Sequence, residues 1–574
     1  MDTKDTLKVV VLTAIDSASN ASAIAALVAL EKIKIAGIVF DTAQPSFLRR
    51  LRNLKRNVQR EGSPYILFRV RQLFLTLFES LAARVVPESQ TLALLARAFP
   101  ERPLALEHLS AMFPIPIHYV DNLNSPAGVD LLQGLAPDLG IVIGTRVLKR
   151  STFSVPRLGC INVHKGKVPE YRGLPPGFWE IYEDQSQAGV TIHCVDDGLD
   201  TGEILAQECI SIHEKDSVET LQRKLDGLAE TLLVRSVAEL ARGDVSRTPQ
   251  PASNHRPKTS PTRAQRLELE QRRRLNEMSR QSLSHLLKTV FAVMVYYSGL
   301  FHLVQALKRA LGANRVCVVL YHRVNDLCED VLTTSVKRFA EHLIAIQRHY
   351  SVITSTELLE RLNKGARFDE PTVIIHFDDC YRDVYTNASC ILAAANLPGC
   401  AFISSGFVGT TRRFPHDLAI CPFTLENLNE DELTGLLKRN FEIGSHSVSH
   451  ADLAQCDDSA VTEELTQSKK DLEAMLHKPV SMFSYPFGGK HNVRRGIADL
   501  VRQSGYHAMF SAYGGYVSHR TDPFNIPRIG ASGRFRPLDL ILEIEGLSLG
   551  AIWRALKTKF LGPEPAPNLP RLNA

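Results

Sequence analysis

Apolar runs of strand length alternate with amphipathic stretches along the chain, and they fall into two series. The first places strands at residues 9–12, 36–40 and 139–143, with a helix over 22–34 between the first two. Such alternation predicts an α/β domain built on a parallel sheet. The second series starts at 315–320 and continues through 372–375, 400–403 and 441–444, predicting another α/β domain. Two domains also agree with length, because 574 residues exceed the roughly 250–300 that one hydrophobic core organises. The predicted divisions are 1–247 and 312–545, with 248–311 as a basic linker and apolar helix and 546–574 as a tail.

Three stretches fall outside this alternation. Phe47, Leu48, Leu51, Leu54 and Val58 form an apolar stripe on a helix rich in arginine and lysine. A solvated helix covering the sheet and a membrane-surface helix both fit that pattern. Residues 248–280 are rich in Pro, Ser, Arg and Gln, a linker composition. The apolar run 289–301, broken at Gly299, is shorter than the ~20 residues of a membrane span. A packed helix and an interfacial helix both remain open there. The Pro-rich ending at 562–567 reads as a loose tail.

Composition narrows the classes. A hydrophobic share of 44% and a charged share of 22% are those of ordinary globular protein. A net charge of +5 over this length gives no argument for a nucleic-acid partner. The ten cysteines are scattered with no CxxC pair, which reads as buried thiols in a reducing compartment. The opening residues run directly into the first strand without the basic start and long apolar stretch of a secretory signal. The expected address is therefore the cytoplasm.

The first candidate chemistry lies in Gly159-Cys160-Ile161-Asn162-Val163-His164, Pro169-Glu170-Tyr171-Arg172-Gly173 and Asp197-Gly198-Leu199-Asp200-Thr201-Gly202. On an extended strand Asn162 and His164 point to one face. An amide donor beside an imidazole suits acyl transfer, one steadying an oxyanion and the other moving a proton. Asp200, in a glycine-flanked loop, can reach both groups. The ordered set, with Pro137-Asp138 and Gly144, resembles the formyltransferase family, which includes methionyl-tRNA and sugar N-formyltransferases, over about 137–212. The resemblance implies a Rossmann-like fold and N10-formyltetrahydrofolate as donor. It implies an oxyanion role for Asn162, proton transfer at His164, and a supporting acid/base role for Asp200. It further implies a folate ring held by main-chain groups near Gly144, Thr145 and Val147. Lys165-Gly166-Lys167-Val168-Pro169 replaces the usual Ser-Leu-Leu-Pro stretch. The tRNA-specific members carry a C-terminal barrel that 242–280 is too short and polar to supply, so an amino-sugar acceptor is expected.

The second candidate chemistry follows the strand at 372–375, in His376-Phe377-Asp378-Asp379-Cys380. Adjacent carboxylates at a strand end are costly without a balancing cation. Gly444-Ser445-His446-Ser447-Val448-Ser449-His450 follows another strand, and histidines at i and i+4 can face one metal if the segment turns helically. Asp379, His446 and His450 then make a three-ligand divalent site with open positions, and Asp378 is placed to take a proton from water. This half resembles the polysaccharide deacetylase family, typified by rhizobial chitooligosaccharide deacetylase, over about 316–530. The resemblance rests on Tyr321-His322-Arg323-Val324, Phe377-Asp378-Asp379, the His446/His450 pair, Phe483-Ser484-Tyr485-Pro486-Phe487-Gly488 and Asp522-Pro523-Phe524-Asn525-Ile526-Pro527-Arg528. It implies a distorted (β/α) barrel and hydrolysis of an N-acyl group from an amino sugar, with zinc the expected ion. Cys380 stands where the motif has glycine, and a side chain there crowds the loop if φ is positive. His376 replaces the common threonine. No late Leu-x-His supplies a general acid, which leaves His322 and His519 as substitutes.

One half releases an amine and the other consumes one. The chain is thus expected to edit an amino sugar on a nucleotide or lipid carrier, in the cytoplasm or at the inner face of the membrane. Two alternatives stay open: independent enzymes, or one active half with the other a membrane-surface scaffold touching lipid through 49–60 or 272–301.

Overall fold

The structure is a computed structural model describing residues 6–42, 52, 55–59, 62–214, 216–244, 246–251, 253–273, 283–327, 330–421, 424–489, 492–494, 496–531, 533 and 535–561. Phe47, Leu48, Leu51 and Leu54 of the basic stripe lie outside these residues, as does the Pro-rich ending. The chain divides into two compact units, residues 1–69 with 99–278 and residues 70–98 with 279–574.

The first unit is built on a seven-stranded sheet ordered β3-β2-β1-β4-β5-β6-β7. Its strands are β1 (Leu7–Thr13), β2 (Ile33–Asp41), β3 (Ile117–Val120), β4 (Leu139–Ile143), β5 (Cys160–His164), β6 (Gln187–Cys194) and β7 (Ile204–Ser211). The first five run parallel, while β6 and β7 form an antiparallel edge. Val9 and Val11 join one core cluster, Val10 and Leu12 another. Both faces of β1 are therefore covered, which explains an unbroken apolar run where an alternating one would serve a one-sided sheet. The order reverses between β1 and β4, where open α/β sheets bind ligands beyond the strand C-termini. The predicted helix ends early: it spans Ala18–Val28, capped by Ser17 accepting from Asn20 N–H. Residues 33–34 instead open β2, because Ile33 and Ile35 alternate with lysine as a strand requires.

The second unit holds β8 (Val316–Tyr321), β9 (Arg323–Val324), β10 (Thr333–Thr334), β11 (Ser351–Val352), β12 (Thr372–Phe377), β13 (Gly399–Ile403), β14 (Phe441–Ser445), β15 (Met482–Ser484), β16 (Ala508–Phe510) and β17 (Ile529–Gly530). Apart from the short β9–β10 pair, the strands make a parallel sheet ordered β16-β15-β14-β13-β12-β8-β17, with β11 beside β12. Ile526 bridges Phe510 of β16, and Ile529 pairs with Val319 of β8. Residues 526–530 thus bring the last strand back toward the first, the distorted barrel that was expected. Every residue of β8 and β12 is buried.

The expected divisions need two corrections. Residues 248–273 pack into the first unit: Thr248 bridges Ile204, Lys258 bridges Gly173, and Leu269 of helix Arg263–Arg273 joins its core. Polar composition hid this, because the segment binds largely through backbone and amide groups. Residues 70–98 belong to the second unit, where the Glu88–Ala98 helix packs on the Ser389–Ala394 and Val336–His349 helices. Lys337 pairs with Glu88 at 2.6 Å, and Arg348 Nη2 donates to Gln90 at 2.8 Å. The reading of unpaired thiols fails at Cys421, which is disulfide-bonded.

Candidate active sites

In the first unit β5 presents Asn162 and His164, and the turn after β6 delivers Asp200 in a left-handed conformation with φ 54°. Asn162 Nδ2 donates to Asp200 Oδ1 at 3.2 Å, and His164 Nδ1 lies 3.5 Å from Asp200 Oδ2. Gly173 N–H donates to the same Oδ2 at 3.0 Å. Gln250 Nε2 donates to the carbonyls of Asp200 at 3.0 Å and Gly202 at 2.8 Å, so the presumed linker clamps the Asp200 loop. The three sequence-predicted residues do converge.

His164 is buried, and its Nε2 lies 2.7 Å from the Tyr171 carbonyl. A carbonyl only accepts, so Nε2 carries a proton and Nδ1 is the basic nitrogen. Burial pulls the His164 pKa down against the opposing Asp200 charge, which favours the neutral imidazole. Burial pushes Asp200 up, but His193, the His164 charge and Gly173 N–H together hold it below its usual value. A Cβ at Gly166 would stand 2.5 Å from His164 Nε2 and closer still to Tyr171 O. The departure at Gly166 is thus what allows the imidazole and carbonyl to meet.

One reading of this site changes. His193, cross-strand from Asn162, places Nε2 3.2 Å from the Asn162 amide nitrogen. Asn162 therefore spends its amide hydrogens on Asp200 and His193, and an oxyanion role requires it to release one of them. Sequence missed His193 because strand register is not legible from spacing. Gly144, Thr145 and Val147 do follow β4, with Gly144 at φ 65°. The carbonyls of Gly144 and Val147, however, already accept from Ala14 N–H at 3.1 Å and Asn124 Nδ2 at 3.0 Å. The Val147 side chain is largely exposed.

Beside His164, Lys165, Tyr171, Trp179, Glu180 and Lys258 line a small cavity. Burial pushes the Glu180 carboxyl up to about 7. A raised folded pKa means that stability is present while Glu180 is protonated and is lost as pH rises between about 4.5 and 7, by about 3 kcal/mol. Glu180→Gln is expected to flatten that dependence, read as slower amide exchange of β5 and β6 above neutrality.

In the second unit, β12 ends in Asp378 and Asp379, held by Asp378 N–H to Tyr321 O at 3.1 Å and Ser404 N–H to Asp379 O at 3.2 Å. β14 ends in the histidine segment, which is not helical. Ser447 and His450 take left-handed φ of 66° and 57°, and Glu464 accepts from Val448 N–H at 2.8 Å and Ser449 N–H at 3.0 Å. This turn still brings both imidazoles to Asp379: His450 Nε2 is 3.2 Å and His446 Nε2 3.7 Å from Oδ1. Both Asp379 oxygens are buried without a hydrogen bond, and candidate ligand atoms of the three residues lie within 4.8 Å of one another. His446 Nδ1 donates to Ser484 O at 2.8 Å, aiming Nε2 at the carboxylate. An orphaned carboxylate facing two imidazole nitrogens fits a divalent cation held by Asp379, His446 and His450.

Asp378 is gripped by Arg528, whose Nη1 donates to Oδ1 at 2.7 Å and Nη2 to Oδ2 at 2.6 Å. Ser484 Oγ adds a bond to Oδ2 at 3.1 Å. Burial would raise Asp378, but the Arg528 charge outweighs it and holds the carboxyl at about 2. Burial lowers His446 to about 4. Arg528 was legible only as part of a motif, because its partner lies 150 residues upstream. His416 was missed altogether: its Nε2 lies 3.7 Å from Asp379 Oδ2 and 3.0 Å from the Tyr381 hydroxyl.

The departures resolve plainly. The left-handed residue is Asp379, at φ 78°, rather than Cys380, which is buried and accepts from Leu428 N–H at 2.8 Å. Cys380→Gly is therefore expected to give no gain in turnover and a stability loss of about 1 kcal/mol, read by denaturation and initial rates. His376 is a core residue, 2.9 Å from Ser355 Oγ and packed on Phe402 and Phe510. Of the two substitute acids, His322 feels both Asp379 and Asp378, but burial outweighs their charges and lowers its pKa, which favours the neutral imidazole.

These two constellations belong to acyl-transfer and amide-hydrolysis chemistry. The chain matches the formyl transferase family over residues 103–237 and the polysaccharide deacetylase family over 365–509. It carries a domain of each, and both are enzyme classes. Methionyl-tRNA formyltransferase of Kosmotoga olearia is 33% identical over 149 residues, covering 26% of this chain and 48% of the relative. That of Syntrophus aciditrophicus is 36% identical over 139 residues, 24% and 45% respectively. The chain thus spans about half the length of these relatives. Among solved structures it is similar to the Streptococcus pyogenes deacetylase PplD in complex with acetate, 18% identical with TM-score 0.36 over 40% of this chain and 98% of that one.

Proposed function

We propose that the chain is a bifunctional amino-sugar enzyme, hydrolysing an N-acyl group in one unit and formylating an amine in the other. The observation that carries this is the Asp379 carboxylate, buried and faced by the imidazoles of His446 and His450, beside a second carboxylate held ionised by Arg528. Such a site serves amide hydrolysis. A bound divalent cation there would acidify water and polarise the acyl oxygen. Asp378 then accepts the proton from that water through an oxygen oriented by Arg528 and Ser484. His322 is the group we assign to protonating the departing amine, once it has itself taken up a proton against the burial that lowers its pKa.

In the first unit His164 Nδ1 takes the proton of the attacking amine. The imidazolium so formed is held between the Asp200 carboxylate and the Tyr171 carbonyl. Asn162 supplies the amide donor for the developing oxyanion once it releases a partner. N10-formyltetrahydrofolate is the proposed donor, near Val147, and a carrier-linked amino sugar the acceptor. Use of that donor places the reaction in the cytoplasm. The test is mass spectrometry of UDP-, dTDP- and lipid-linked amino sugars incubated with formyl donor, alongside methionyl-tRNA. A formyl gain on a sugar amine supports the reading, and a gain on the tRNA alone overturns it.

A further inference from the structure

The helices of the second unit carry apolar faces that the fold leaves in solvent. Leu283–Tyr297 buries Ala292, Val293 and Val295 but exposes Leu287, Met294 and Tyr297, spaced seven and three residues apart on one side. Leu300–Ala310 buries Phe301 and exposes Leu300, Leu303 and Leu307, three and four residues apart, with Leu311, 75% exposed, extending the row. Leu549–Leu561 exposes Leu549, Trp553 and Leu556, with Trp553 69% exposed. Within Ser63–Ala83, Val70, Leu73, Phe74 and Leu77 repeat the pattern. Most of the exposed large hydrophobic side chains among the described residues lie on these four helices. Rows of exposed apolar side chains at helical spacing mark an interaction surface better than scattered surface residues do.

These helices are joined into one assembly. Tyr297 donates to Leu81 O at 2.9 Å, and His285 lies 3.2 Å from Glu79. Lys308 and Gln305 both bind Glu545, and Arg554 pairs with Glu543 of the same Pro537–Glu545 helix.

Charge selects the partner. From 278 to 325 the sequence contains no Asp or Glu, and neither does 546–561. Lys288 and Arg309 stand exposed beside the apolar rows. The rows of Leu283–Tyr297, Leu300–Ala310 and Leu549–Leu561, interleaved with cations and free of acids, complement an anionic lipid surface, while Ser63–Ala83 carries Glu79 against His285. No single described helix is long and apolar enough to cross a bilayer, and the 285–310 pair is bent by 56° at Gly299. Such a pair suits lying in the interface, with a row on each arm able to face lipid.

We propose that this face docks the protein on an anionic bilayer, with Leu303, Leu307 and Trp553 entering the headgroup boundary. The inference is independent of the chemistry assigned to either site. The test is co-sedimentation of the full chain with phosphatidylcholine vesicles, with and without phosphatidylglycerol. Binding is expected only with the anionic lipid and is expected to weaken with salt. Leu303→Glu combined with Leu307→Glu should cut it at least about tenfold. Tyr119→Glu, at an equally exposed site in the first unit, should leave it unchanged. Unaltered circular dichroism would show that the double variant is folded. Absence of sedimentation with anionic vesicles overturns the proposal. So does a concentration-dependent dimer that the double variant abolishes, since a second copy would then cover the face.

Discussion

Asp378→Asn is expected to lower deacylation by about 10²–10⁴-fold while bound metal is retained. The substitution keeps shape, but it turns one of the two oxygens that accept from Arg528 into a donor and removes the carboxylate assigned to accept the proton. Asp379→Ala differs, because it removes the ligand that faces both imidazoles and should abolish metal content together with turnover. Elemental analysis beside initial rates separates the two outcomes. Metal retained with full activity in Asp378→Asn would sink the assignment of the base. With Asp378 held at about 2, its folded-state stabilisation is present above the usual carboxylate value of 3.8 and is lost as pH falls toward 2. The base therefore stays ionised across the neutral range, and the acid limb of the rate profile belongs to other groups.

His164→Ala is expected to reduce formyl transfer by a similar factor, about 10²–10⁴, at unchanged donor affinity. Nδ1 is the one basic ring nitrogen, since Nε2 is committed to Tyr171 O. The measurement is formylation of a synthetic free amino sugar with saturating donor. Turnover within severalfold of the parent would dismiss His164 as the proton acceptor. In the same assay Asp379→Ala should formylate the free amine normally but fail on its N-acylated precursor. That contrast distinguishes sequential editing from two independent reactions.

Much of both sites was readable because each chemistry demands particular side chains at strand ends, and strands of apolar β-branched residues announce themselves. Asn162, His164, Asp378 and Asp379 sit at or beside such ends. Long-range pairing was not readable. Arg528 reaches Asp378, His193 faces Asn162 and Gln250 clamps Asp200 only through sheet register and loop closure. The suspicion over Cys380 failed for a local reason: the turn places its positive φ one residue earlier, on an aspartate, among the residue types that best tolerate it. The histidine pair met as predicted, though by two left-handed residues instead of a helical turn.

Residues 70–98, lodged in the second unit though they interrupt the first in sequence, make the chain pass between units three times. A gene cut in two near codon 278 would strand Leu94 and Leu95 without the helices that cover them. A single break there thus leaves residues 70–98 on a different fragment from the rest of the second unit. Separating the two units requires that the Glu88–Ala98 helix travel with residues 279–574.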